Sequence, residues 1–276
     1  MNSGPSPPSL IIDATQGLTI TPGDPFLLRR ARFSHTGTFI TEPTPFPSTP
    51  ALLIYVHGYN ETPEAARGYG LHNIGAGHRE AGGRCAVATF LWRARFGSLH
   101  FRESLESANA TAPAFARAMT TLRAAQPELR LHVLAHSLGA RVVLKAVQDH
   151  GLPLHDVALV SPAIHQRALE PGQEFADAPS HIERLLFTHN NADRILRWYR
   201  YFWGPALGQF GARPSANRPH NLSSENMETA WKDHPSDGGH GAILHPQYWP
   251  PFWKALAARN FFSADAPTKT STDPSS

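Results

Sequence analysis

The sequence predicts an α/β protein with a mostly parallel central sheet, antiparallel strands near its N-terminus and helices on both faces. Three observations predict it. Continuous apolar runs of strand length, such as Ala51 to Val56, mark strands buried on both faces. From residue 51 onward these runs alternate with segments of helical apolar spacing, and strand–helix alternation builds a parallel sheet with right-handed crossovers. Before residue 50 the β-like runs are short and split by Gly and Pro, as in antiparallel strands joined by turns.

With 276 residues, 41% of them hydrophobic, the chain suits one domain with a core large enough to fold unaided. The expected division is N-terminal strands and a Pro-rich lead-in at 1–50, a core at 51–262 and a disordered tail at 263–276. The net charge is only +3 and the arginines are scattered, which argues against a nucleic-acid partner. Cys85 is the one cysteine, so neither an intramolecular disulfide nor a thiolate-rich metal site is expected, and no cofactor is called for. The first ten residues lack a basic segment followed by an apolar one, so a cytoplasmic location is expected. No apolar run reaches the length of a bilayer span.

In chain order, Leu10 to Ile12, Leu18 to Thr21, Phe26 to Phe33 and Thr38 to Thr41 are the early β-like runs, followed by a Pro/Thr/Ser segment from Glu42 to Pro50. Ala51 to Val56 is a buried strand. Thr62-Pro63-Glu64 combines an N-cap type, proline at the first helical position and an acid in the first turn, and should open a helix toward Ala81. Cys85 to Trp92 is the next strand. Ala108, Ala112, Phe115, Met119 and Leu122 then form one apolar helical face that ends before Pro127. Leu129 to Ala135 is a strand, Leu138 to His150 a helix stopped by Gly151, and Asp156 to Val160 and Arg184 to His189 are strands. After Asp193 the chain is aromatic and irregular, a long loop region with some helix. Tyr248 to Phe262 reads as a final helix entered through prolines, with a polar tail from Ala266.

Ala135-His136-Ser137-Leu138-Gly139 lies where an apolar strand turns at once into a helix. A serine hydroxyl is a weak nucleophile that needs an exposed position and a base. The G-x-S-x-G elbow supplies that position, and here alanine replaces its first glycine. Ser137 is therefore the candidate nucleophile, the competing role being a simple N-cap of the following helix.

The oxyanion of a tetrahedral intermediate needs preorganised N–H donors. The N–H of Leu138 is one candidate. Tyr55-Val56-His57-Gly58-Tyr59-Asn60, a strand running into His-Gly two βα units earlier, offers Tyr59 as the second, with His57 expected to hold the loop rather than act as base. A triad in the order Ser, acid, His places the acid after a later strand. Asp193 fits best, ahead of Asp177 and Asp156, and could otherwise cap the helix that follows it. For the base, His240 in Asp237-Gly238-Gly239-His240-Gly241 leads, with His234 next and His220 and His245 behind.

On these residues the chain resembles the α/β-hydrolase superfamily, and within it an uncharacterised bacterial family of lid-less serine hydrolases. The residues that carry the likeness are His57-Gly58-Tyr59-Asn60, Phe90-Leu91-Trp92, Ser107-Ala108 and Ala135-His136-Ser137-Leu138-Gly139, and it spans about residues 51 to 245. It implies an aspartate followed by apolar residues, matched by Asp193 with Ile195-Leu196, and a Gly-His pair, matched by Gly239-His240. Arg93 stands where that family has proline after the tryptophan, and Ser104 where it has an aspartate, both bearing on the pocket rim.

About twenty residues separate Val160 from the next strand, too few for a large lid domain, so a modest acyl ester or thioester is expected rather than a long-chain lipid. Trp198, Tyr199 and Trp203 are the candidate substrate wall. The expected activity is a serine hydrolase acting on a small-molecule acyl substrate. An acyltransferase or thioesterase differs only in acceptor or leaving group, and a non-catalytic binding protein of the same fold is the alternative from another class.

Overall fold

The computed structural model describes residues 9–14, 29–33, 39–43, 49–94, 100–212 and 219–264. The expected strand at 18–21, the start of the run at 26–33, most of the Pro/Thr/Ser lead-in and the polar tail from 266 lie outside the described residues. Among the described residues nine strands form one sheet: β1 (Ser9–Asp13), β2 (Arg29–Phe33), β3 (Phe39–Pro43), β4 (Ala51–Val56), β5 (Ala86–Leu91), β6 (Arg130–His136), β7 (Leu154–Val160), β8 (Ile182–His189) and β9 (Leu222–Asn226). Their order is β3-β2-β1-β5-β4-β6-β7-β8-β9. From β1 across to β9 every pairing is parallel, while β2 and β3 add an antiparallel margin beyond β1.

Strand β4, paired on both sides, shows why its sequence is apolar without alternation. Leu52, Ile54 and Val56 enter the cluster under one face, and Ala51, Leu53 and Tyr55 enter the cluster under the other. The first face is covered by α3 (Phe101–Ala125) and α4 (Gly139–His150), the second by α8 (Pro250–Ala258) with Ile74. The spacing predicted for α3 holds: Ala108, Ala112, Phe115, Met119 and Leu122 are all buried. The helix opened by Thr62 is α1 (Pro63–Gly68), continued through a π-type turn at Tyr69–Ile74 into α2 (Gly75–Glu80), and Thr62 Oγ1 accepts the Ala65 N–H at 3.2 Å. Between β7 and β8 the chain makes turns and one short 3-10 segment, Ala178–His181, with no lid domain.

Beyond β8 the structure is more regular than the sequence pattern suggested. Asp193 opens α5 (Arg194–Trp203), followed by α6 (Leu207–Phe210), the edge strand β9 and α7 (Glu228–Trp231). Strand β9 escaped the pattern because Leu222-Ser-Ser-Glu-Asn226 lies at the sheet margin and buries no continuous apolar run. Among the described residues no helix is long and apolar enough to cross a membrane. Because the strands run parallel, the turns after β4, β6 and β8 all emerge at one edge of the sheet, which is where ligand sites form in such folds.

Candidate active site

Ser137 sits in the two-residue turn between β6 and α4 with φ 52°, a left-handed backbone that a non-glycine residue adopts only where its surroundings enforce it. Its N–H donates to the Val160 carbonyl at 2.9 Å, and its own carbonyl accepts the Ala163 N–H at 3.1 Å. Gly139 is required by close approach: a Cβ there would lie 2.5 Å from the Val56 carbonyl oxygen and 2.6 Å from that of His57. Gly58 answers it from the other side, since its Cβ would meet the Ser137 Cβ at 2.9 Å. The elbow and the loop after β4 are thus pressed together.

His240 bridges the next two groups. Its Nε2 accepts from Ser137 Oγ at 2.9 Å, and its Nδ1 donates to Asp193 Oδ2 at 2.7 Å. All three side chains are buried. Asp193 Oδ1 caps α5 by accepting the Leu196 N–H at 2.8 Å, which leaves Oδ2 facing the imidazole. Burial works to lower the pKa of His240, but the charge and hydrogen bond of Asp193, helped by Asp237 and Glu61, raise it above the ordinary value. A serine hydroxyl bonded to a carboxylate-oriented imidazole is the arrangement of a base-activated nucleophile.

The loop of His240 is fastened to the loop of Asp193. Asp237 accepts the N–H groups of Gly239 and Gly241, each at 2.9 Å, and its carbonyl accepts the Arg194 N–H. Asn190 donates from Nδ2 to the Gly238 carbonyl at 2.7 Å. His234 serves this turn, its Nδ1 lying 2.8 Å from Asp237 Oδ1.

The loop after β4 is held by His57, whose Nε2 accepts the Trp92 N–H at 3.2 Å while the Trp92 indole donates to the His57 carbonyl at 2.8 Å. The two rings stack at 5.3 Å. Burial lowers the pKa of His57, keeping the ring neutral for this task. Ser107 donates to the Arg93 carbonyl, tying α3 to the segment after β5.

One group had no signal in the spacing. Glu61, buried behind the elbow, accepts the Gly58 N–H at 3.1 Å, the Tyr55 hydroxyl at 3.1 Å and His136 Nδ1 at 3.2 Å. His136 then donates from Nε2 to the main-chain carbonyl of His240 at 2.9 Å. Burial alone would raise the pKa of Glu61, but the bond and charge of His136, with His57 and the Gly58 N–H, hold it below the usual value. The Gly58 N–H is turned to Glu61, and Leu138 is the N-cap residue of α4, at the end where a helix leaves its first N–H groups without intrahelical partners.

The aromatic segment divides. Tyr199 and Trp203 face inward on α5, against Phe101 at ring distances of 5.9 and 4.6 Å, and Phe101 packs in turn on Tyr59 at 5.3 Å. Trp198 faces outward beside Tyr201.

A parallel sheet with a strand–turn–helix serine elbow at its carboxyl edge defines the α/β-hydrolase class. Residues 42–210 match the family model described as alpha/beta hydrolase of unknown function (DUF900), and the chain belongs to that family. Solved structures similar in fold include an esterase of Pyrococcus furiosus (TM-score 0.40, 11% identity, covering 84% of this chain and 87% of that one). A cutinase-like protein from Cryptococcus sp. (TM-score 0.40, 11%, 78% and 96%) and the monoacylglycerol lipase of Paleococcus ferrophilus (TM-score 0.43, 12%, 75% and 93%) are others. No curated protein matches the sequence.

Proposed function

We propose that this protein is a serine hydrolase that cleaves a carboxylic ester or related acyl bond through an acyl-enzyme intermediate. Ser137 Oγ attacks the acyl carbon while His240 Nε2 takes its proton. The N–H groups of Leu138 and Tyr59 receive the oxyanion, and collapse of the tetrahedral species expels the alcohol, which takes the proton back from His240. Water, deprotonated by the same imidazole, then frees the acid and restores Ser137. Asp193 fixes the tautomer and offsets the charge that develops on His240. Phe101, Tyr199 and Trp203 would wall the acyl group. The observation that carries this reading is the single imidazole within hydrogen-bond distance of both Ser137 Oγ and Asp193 Oδ2.

The test is labelling by a fluorophosphonate probe together with turnover of short p-nitrophenyl esters. Wild type is expected to label and to turn over, and Ser137→Ala to do neither, with kcat lowered by about 10⁴-fold or more. A wild type inert to both, or a Ser137→Ala protein that labels equally, would overturn the proposal.

A further inference from the structure

The large apolar side chains exposed among the described residues gather on one element and its neighbour. Ile195, Trp198, Tyr201 and Phe202 of α5 are 45, 69, 75 and 70% exposed, and Phe210 of α6 is 37% exposed. At 100° per residue these four α5 side chains fall within an arc of about 120°, beside the inward arc of Leu196, Tyr199 and Trp203. Arg194, Arg197 and Arg200 are exposed on the same helix, which contains no acidic residue. Arg197 and Arg200 also line, with Asn191, Tyr201, Gln209 and Phe210, a surface cavity of about 490 Å³. None of these six carries a negative charge. Gln209, 3% exposed, leaves its Oε1 without a hydrogen-bond partner there.

Soluble proteins rarely expose several large aromatic side chains side by side without an occupant for them. Tryptophan and tyrosine, with an apolar ring and a polar tip, settle at the boundary between headgroups and acyl chains. A helix carrying them beside arginines suits the surface of an anionic bilayer, its rings buried at that boundary and its guanidinium groups at phosphate level. Position adds to this. Asp193 caps α5, and the inner face of the helix packs through Phe101 onto Tyr59, so the helix that carries the outer face is itself anchored at the candidate active site.

We propose that the outer face of α5 is an interfacial docking surface that seats the protein on anionic phospholipid bilayers, with Arg197 and Arg200 receiving headgroup phosphates.

Docking is tested by co-sedimentation of the full chain with vesicles of phosphatidylcholine alone or mixed with phosphatidylglycerol. Wild type is expected to sediment with the mixed vesicles, less so as salt screens the arginines. Tyr201→Ser/Phe202→Ser should bind about tenfold more weakly or worse, because two buried rings are lost. Arg197→Gln/Arg200→Gln should lose the preference for the anionic mixture. Unchanged melting temperatures and p-nitrophenyl ester turnover in both double variants would show that fold and site are intact. Wild type left in the supernatant with mixed vesicles, or a Tyr201→Ser/Phe202→Ser protein that sediments like wild type, overturns the proposal. So does a self-association lost in that variant without any vesicle binding, which would make α5 a contact between copies. Ser137→Ala should sediment like wild type whatever becomes of the hydrolase reading, so the two proposals fail separately.

Discussion

The proton inventory around His240 sets a measurable pH. In the proposed reaction the imidazole must be neutral to take the Ser137 proton, and Asp193, Asp237 and Glu61 raise its pKa despite burial. Activity should therefore fall as pH drops through a value above the ordinary ~6.5 of histidine, read as the acid limb of kcat/KM. Glu61→Gln removes one of those negative charges and the charged partner of His136, which itself holds the His240 main chain. We expect the acid limb to move to lower pH and kcat to fall about tenfold, equivalent to about 1.4 kcal/mol. A variant that loses folded protein but keeps the limb where it was would show that Glu61 only supports the loop. Asp193 was legible as a candidate because its position just past a strand carried the signal. Glu61 was silent because a buried glutamate two residues after Tyr59 resembles any exposed loop acid until the fold turns it inward.

At the elbow, the strand–turn–helix depends on two backbones passing within van der Waals contact. Gly139→Ala would drive a methyl group to 2.5 Å from the Val56 carbonyl oxygen, and a main-chain oxygen of a central strand has no rotamer by which to yield. Overpacking of this kind costs about 1–3 kcal/mol, and a displacement near 1 Å at a nucleophile lowers kcat by about 10². Urea denaturation and ester turnover of the same preparation would measure both, and wild-type values for each would mean the turn relaxes freely. The legibility of the elements follows from the same packing. Strands β4 to β8 were readable because each is buried on both faces, so apolar residues run on without alternation. Strand β9 was not, being a polar margin, and α5 was blurred because apolar side chains occur on both its faces. The parallel pairing of β1 with β5 also lay beyond sequence pattern, since Leu10 to Ile12 would read alike in either direction.

Far from the serine, at the opposite edge of the sheet, a second buried carboxylate ties the chain's later part to its centre. Asp156, in the first half of β7, accepts two hydrogen bonds from Arg184 of β8, at 2.6 and 2.7 Å, and the Phe262 N–H at 2.7 Å, with His132 of β6 at 3.1 Å. Arg184 reaches on to the carbonyls of Arg259 and Asn260, so the segment after α8 is fastened beneath three neighbouring strands. Burial would raise the pKa of Asp156, but His132 and Arg184 overcome it and hold the carboxyl at about 2. Since that lies below the ~3.9 of an unfolded aspartate, the unfolded chain takes up the proton first as pH falls. The contribution is thus fully present above about pH 4 and lost progressively toward pH 2, and a shift of this size is worth roughly 2–3 kcal/mol. Asp156→Asn should lower stability at neutral pH by at least that much, because Arg184 loses its counter-charge, and should flatten the decline between about pH 4 and pH 2. Urea unfolding across that interval measures it, and an undiminished decline in the variant would assign the acid sensitivity to other carboxylates. Because Asp156 lies at the edge away from the elbow, the folded variant should keep the wild-type acid limb of kcat/KM. A shift of that limb would mean that fastening the C-terminal segment reaches His240 through the sheet.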